Sequence, residues 1–154
     1  MADRLPALLS TISQQPSTGF SHTLRVRVRH YEMDALGHVN NAVYLHYVEE
    51  AAVEHARLLG FGAERLRELG GAWVVRRHEI EYRRPAVAGD ELDVTTRVVS
   101  VDRMRGNRRT MIARVGDGAL IAEAVTEWIW VGNDGRPRRL PAEAVELFRS
   151  LATA

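Results

Sequence analysis

From about Asn40 to Leu59 the apolar residues Leu45, Val48, Ala52, Ala56 and Leu59 recur at three- and four-residue steps, and Gly60 stands just beyond them. That spacing predicts the one long helix of the chain. Ahead of it, Leu24, Val26 and Val28 alternate with Arg25, Arg27 and Arg29, the period of a strand with one wet face. After it, four segments read as strands: Trp73-Val-Val75 with Ile80 and Tyr82, Leu92 to Val101, Thr110 to Val115, and Leu120 to Val131. Turn signals separate them at Arg84-Pro85 and Gly89-Asp90, at Gly106-Asn107, and at Gly116-Asp-Gly118, and Asn133-Asp-Gly-Arg-Pro137 ends the last. A strand, a long helix and four strands are satisfied by a single antiparallel sheet wrapped on one helix, an α+β domain.

A chain of 154 residues fits one such domain, placed at residues 21–154. Residues 1–20 carry Leu5, Leu8, Leu9 and Ile12 at helical spacing and then a loop-like Gln14-Gln-Pro-Ser-Thr-Gly19, which reads as an N-terminal arm or short helix and a linker. Pro141 to Leu151, with Glu143 and Glu146 and apolar Val145, Phe148 and Leu151, predicts a terminal helix. Leu5-Pro-Ala-Leu-Leu9 is too short for a signal-peptide core and no later stretch approaches a membrane span, so a cytoplasmic setting without membrane contact is expected. With no cysteine, a disulfide framework, a thiol nucleophile and a Cys-based zinc site are excluded. His22, His30, His38 and His46 repeat every eight residues but span a strand, a loop and a helix, and they form no metal-ligand spacing. A net charge of +1 gives no global attraction for nucleic acid, so any polyanion site must be local. All 21 basic residues are arginine, which reads first as genomic base composition, although arginine also suits bidentate phosphate contacts.

Between the first strand and the long helix runs Asp34-Ala-Leu-Gly-His-Val-Asn-Asn41, followed by Ala-Val-Tyr44-Leu-His-Tyr47-Val-Glu49. A carboxylate at such a junction faces the positive end of the helix dipole. Asp34 can there attack a thioester or activate water, or it can satisfy helix-start amides as a cap. Gly37 permits a tight or positive-φ turn, and the unpaired N–H groups of the first helical turn, notably that of Asn41, are placed to hydrogen-bond a carbonyl oxygen as it gains charge. His38 is available to hold water, orient Asp34 or carry a proton; its alternative is a structural role. Tyr44 and Tyr47 share a helix face and line either an acyl pocket or the helix–sheet core. Arg103, Arg105, Arg108 and Arg109 flank Gly106-Asn107, as a phosphate-binding cluster or as a solvated hairpin tip. The cluster is too small, and too poor in aromatics, for a nucleic-acid surface.

Asp34, Gly37, His38, Val39, Asn40, Asn41, Tyr44, Tyr47 and Glu49 together resemble the signature of the hotdog-fold acyl-thioester hydrolases of the 4-hydroxybenzoyl-CoA thioesterase type. The His38-Val-Asn-Asn41 run is also similar to that of the plant acyl-ACP thioesterases, with Leu36 standing where their inner Asn would be. Ile80-Glu-Tyr82-Arg-Arg-Pro85 with Gly89-Asp90 resembles the family's second block, and the likeness covers roughly residues 22 to 131. The resemblance implies a hotdog fold and hydrolysis of an acyl-CoA with no metal or organic cofactor, coenzyme A entering only as part of the substrate. It implies Asp34 as nucleophile or general base, the amide at Asn41 as carbonyl donor, His38 in support, and the basic turn of Arg103, Arg105 and Arg108 as the contact for the CoA nucleotide. Another branch of the family uses a helix-borne Glu; since the loop Asp is present here, Glu49 reads as a buried polar anchor. A lone hotdog sheet leaves an edge strand and the helix poorly covered, so a homodimer with edge-paired sheets, or a homotetramer, is expected. The alternatives are a hotdog dehydratase or hydratase and a non-catalytic acyl-CoA-binding protein. The Gly-His-Val-Asn-Asn block weighs against the first and the intact Asp34 against the second.

Overall fold

A computed structural model describes residues 21–153 of the chain, and the arm expected at residues 1–20 lies outside them. In chain order the elements are β1 (Ser21–Arg27), a single 3-10 turn (His30–Glu32), α1 (Val43–Leu58), α2 (Ala63–Glu68), β2 (Gly71–Tyr82), β3 (Glu91–Val101), β4 (Arg105–Arg114), β5 (Leu120–Gly132) and α3 (Ala142–Thr153). The five strands form one antiparallel sheet in the order β1-β3-β4-β5-β2, with β1 and β2 at its edges. This is the hotdog arrangement, with α1 as the long helix lying on the sheet.

Alternation along the strands sets which face is covered. In β3, Leu92, Val94, Thr96 and Val98 are buried, while Arg25 and Asp93 pair through two hydrogen bonds of 2.9 and 3.0 Å on the opposite, wetter face. The helix buries Tyr44, Tyr47, Val48, Ala51, Ala52 and His55. Its buried stripe shares Val48 and Ala52 with the expected one but is rotated, leaving Leu45, Ala56 and Leu59 half-buried, because the two tyrosines take the sheet side. Gly60, at φ +87°, ends the helix in the left-handed region that glycine alone adopts cheaply.

Two expectations are corrected. The turn between β3 and β4 is not at Gly106-Asn107, which lie inside β4, but at Asp102–Met104. The Asp102 carboxylate accepts the N–H groups of Met104 and Arg105, both at 2.9 Å, closing the turn without help from glycine. Gly106 is instead a buried strand residue beside Trp73, where a Cβ would stand at van der Waals contact, 3.4 Å from the ring. The short helix α2 was not expected; Leu66 within it and Leu69 just after it pack against a second apolar cluster.

The interior divides into two apolar clusters. One, around Val39, Tyr44, Val48, Leu92, Ile112 and Ile121, lies under the first half of α1. The other gathers Phe61, Val98, Trp130, Leu140, Phe148 and Leu151 under α2 and α3. Polar side chains separate them on the covered face. The Thr110 hydroxyl donates to that of Thr96 at 3.1 Å, Thr126 meets His78 Nδ1 at 2.9 Å, and Arg108 Nη1 meets His55 Nδ1 at 2.9 Å. His22 stacks on His55 at 5.9 Å and lies 3.2 Å from Glu54, near enough for an ion pair but poorly aligned as a hydrogen bond.

Candidate active site

The strand β1 delivers the chain into the 3-10 turn, whose backbone is tied by Glu32. That carboxylate, 9% exposed, accepts the Arg29 N–H at 2.8 Å and the Tyr47 hydroxyl at 2.5 Å. Burial, and then the hydrogen bond to the Glu32 carboxylate, push the Tyr47 phenol well above its ordinary range, so it remains a donor. Glu32 is therefore the buried acid that anchors this region. Glu49, expected in that part, is exposed on α1. Tyr44 and Tyr47 are core residues: Tyr44 packs on Tyr82 and Tyr47 at 5.5 and 6.2 Å, and neither lines the large apolar cavity of the molecule.

Asp34 opens a tight hairpin. Its N–H donates to the His38 carbonyl at 2.9 Å, Gly37 N–H donates back to the Asp34 carbonyl at 3.1 Å, and Met33 and Val39 bridge across the base. Gly37 takes φ +82° at the bend, with open space where a Cβ would stand. It is backbone conformation, not crowding, that asks for glycine there. Asp34 Oδ1 accepts the Leu36 N–H at 2.9 Å, so the carboxylate does cap a turn, but the cap belongs to the hairpin and not to the helix. Its Oδ2 has no partner among the described residues. The His38 ring is half-buried and makes no bond to that carboxylate; only its backbone carbonyl reaches Asp34.

The hairpin's second arm leads into the helix. Val39 N–H donates to Ala86 at 2.9 Å, and the Asn40 side chain caps the helix start by accepting the Ala42 N–H at 2.9 Å. The Asn41 carbonyl accepts the Tyr82 hydroxyl at 2.8 Å, whereas its N–H has no acceptor among the described residues. One residue at the end of β2, Tyr82, thus holds the Asn41 carbonyl while the Asn41 N–H stays open. Sequence alone marks Tyr82 as a strand residue; its place two residues after Ile80 on the same strand face was the available signal for this contact. Asp34, Gly37 and His38 share one hairpin, and Asn41 follows its second arm on the way into α1.

The arginine cluster is not brought together. Arg108 lies on the covered face, 7% exposed, while Arg105 and Arg109 point to the opposite face, where Arg105 approaches Glu127 at 3.7 Å and Arg109 pairs with Glu123. Only Arg103 sits exposed in the turn itself. Strand alternation, unseen when this segment reads as a turn, sends neighbouring arginines to opposite sides. The turn is also at the far end of β3 from Asp34, about 35 Å away at ~3.3 Å per residue over the strand's eleven residues.

A family model described as the thioesterase-like superfamily matches residues 28–148 of the chain. The chain is 29% identical over 142 residues to an acyl-acyl carrier protein thioesterase of Arabidopsis thaliana, covering 91% of this chain and 76% of that protein. It is 32% identical over 127 residues to the acyl-CoA thioester hydrolase YbgC of Escherichia coli, covering 80% and 92% respectively. Among solved structures, a Thermus thermophilus thioesterase complexed with coenzyme A and zinc superposes with a TM-score of 0.74 at 32% identity, over 86% of this chain and 95% of that one.

Proposed function

The chain belongs to the thioesterase-like superfamily and is a thioester hydrolase, and from that premise we propose that it cleaves an acyl-CoA to the free acid and CoA at the Asp34 hairpin. The observation that carries this reading is the Asn41 peptide, pinned through its carbonyl by Tyr82 with its N–H open, in the same β1–α1 connection as a carboxylate whose Oδ2 is uncommitted. The thioester oxygen takes the Asn41 N–H, reinforced by the positive end of α1, as negative charge develops on it. Asp34 Oδ2 either takes the proton of an attacking water, whose oxygen then enters the acid directly, or bonds to the carbonyl carbon itself to form a mixed anhydride, which water opens at the Asp34 carboxyl carbon so that the acid keeps an Asp34 oxygen; in both routes the carbon–sulfur bond breaks and CoA leaves as the thiolate. Single turnover in heavy-oxygen water separates the two, because only the covalent route leaves the label in Asp34.

The Arg103 turn, remote from Asp34 in its own protomer, fits a nucleotide contact in a homodimer. β2 is a twelve-residue strand with one free edge. Antiparallel pairing of two β2 edges reverses the second sheet and carries its β3–β4 turn toward the first protomer's Asp34 end. The primary test is thiol release across a panel of acyl-CoA thioesters by the parent and Asp34→Asn. The variant is expected to fold normally and to lose about 100-fold or more in turnover. Near-parental release by a folded Asp34→Asn protein would falsify the assignment.

A further inference from the structure

Under the second half of α1 lies a cavity of about 410 Å³, walled by Ala56, Phe61, Trp73 and Phe148 and floored by β4 and β5. Its size is that of a small-molecule site. Gly106 lies on that floor, where a Cβ would stand 3.4 Å from the Trp73 ring, at van der Waals contact. The only charge on that floor is Arg108, which is more than nine-tenths buried. Its Nη1 meets His55 Nδ1 at 2.9 Å, and no carboxylate among the described residues pairs with it, in contrast to Arg105, Arg109 and Arg114 of the same strand. Beside it, Trp128 lines the cavity with its indole N–H buried and without an acceptor among the described residues. The register explains the pairing of these two donors: Gly106 faces Trp128 and Arg108 faces Thr126, so both side chains rise from adjacent positions of one sheet face.

The chamber is otherwise mostly apolar, Arg57 of α1 and Asn107 of β4 being its further polar lining residues, and a guanidinium and an indole N–H that no carboxylate among the described residues meets define what is missing. A buried cation lacking its counter-charge is unfavourable, and burial already pulls the Arg108 guanidinium down to about 10, still charged at neutral pH. A guanidinium fork prefers a planar, two-oxygen anion, and the aromatic walls accept only hydrocarbon behind it. Along α1 the cavity begins roughly 16 Å from Asn41, at 1.5 Å per residue to Ala52, so it is not the hairpin site of the same protomer.

We propose that this cavity is a second ligand site, which binds an apolar carboxylic acid with its carboxylate on Arg108 and the Trp128 indole N–H and its hydrocarbon among Phe61, Trp73 and Phe148. The inference rests on the cavity and does not depend on the acyl-CoA reading, since it is tested by equilibrium binding without turnover.

Octanoate, 1-octanol and octanamide are titrated into the full chain by calorimetry, with tryptophan fluorescence as a second readout. Octanoate is expected to saturate one site per protomer at least ten-fold more tightly than either neutral analogue. Arg108→Met and Trp128→Phe should each remove most of that preference while leaving octanol binding within about two-fold, whereas Ala56→Phe, which fills the chamber, should abolish binding of all three. Asp34→Asn should leave octanoate affinity unchanged. Equal affinity for acid and alcohol, retained acid preference in Trp128→Phe together with Arg108→Met, or loss of octanoate binding in Asp34→Asn each overturns the proposal. Should Arg108→Met fail to fold, Trp128→Phe and Ala56→Phe decide it: octanoate bound as in the parent by both is equally fatal.

Discussion

Asn41 is where backbone and side chain part company. Among the described residues its side chain makes no hydrogen bond and its N–H is open, while its carbonyl is held by Tyr82. Asn41→Ala is therefore expected to retain most of the turnover, and Asn41→Pro, which deletes the N–H, to lose about 3 kcal/mol of transition-state stabilisation. Steady-state kinetics on both variants, with folding checked by circular dichroism, tests this, and equal losses in the two would move the role to the side chain. At this scale the turn at Gly37 and the helix entry after it were legible, because a turn glycine, an acid and a helix start lie within about ten consecutive residues. Tyr82 and Glu32 were not legible as site residues, because each acts through a contact that forms only when β2 and the 3-10 turn are folded against α1.

Elements declared themselves through period, and they failed to do so where glycine was taken for punctuation. β2, β3 and β5 follow the expected segments closely, whereas β4 begins five residues earlier than Thr110, at Arg105, because Asp102 makes the turn. Packing does demand glycine at Gly71, the first residue of β2. A Cβ there would meet the Val131 carbonyl at 2.5 Å and the Trp130 ring at 2.6 Å, with backbone on one side and a buried indole on the other. Gly71→Ala should accordingly lower stability by about 1–3 kcal/mol, read as a shifted urea midpoint at unchanged slope. A midpoint equal to the parent's would show that β2 can slide on β5 to make room. The arginines of β4 carry the same lesson: composition marks them as a cluster, and only the pleat shows that Arg108 faces the interior while its neighbours face water.

For the whole molecule, the proposed dimer makes a prediction by complementation. Asp34→Asn and the Arg103→Gln/Arg105→Gln double variant are each expected to hydrolyse acyl-CoA poorly, the first in turnover and the second in Michaelis constant. Mixed and refolded together, they should regain a component with parental constants, since one of the two sites in a hybrid dimer keeps both parts. Purely averaged kinetics would place the arginines and Asp34 in the same protomer or the arginines outside the site. Acid tolerance gives a second measure. Burial lowers the His78 pKa below 6.5, against a smaller opposing pull from Glu49, so the unfolded chain takes up that proton first as pH falls. The stability this group contributes is complete above its ordinary value and is lost on acidification through it. His78→Gln should flatten the decline in urea midpoint between about pH 7.5 and about pH 5, and an unchanged slope would assign the acid response to other groups. The row of hydroxyls, imidazoles and guanidinium that crosses the covered face has one more consequence. It interrupts the hydrocarbon contact between the two ends of the core, and cooperative opening follows contiguous apolar packing. Amide protons under the first half of α1 should then exchange as one unit and those under α2 and α3 as another, so that octanoate in the chamber slows the second set and leaves the hairpin's own breathing untouched.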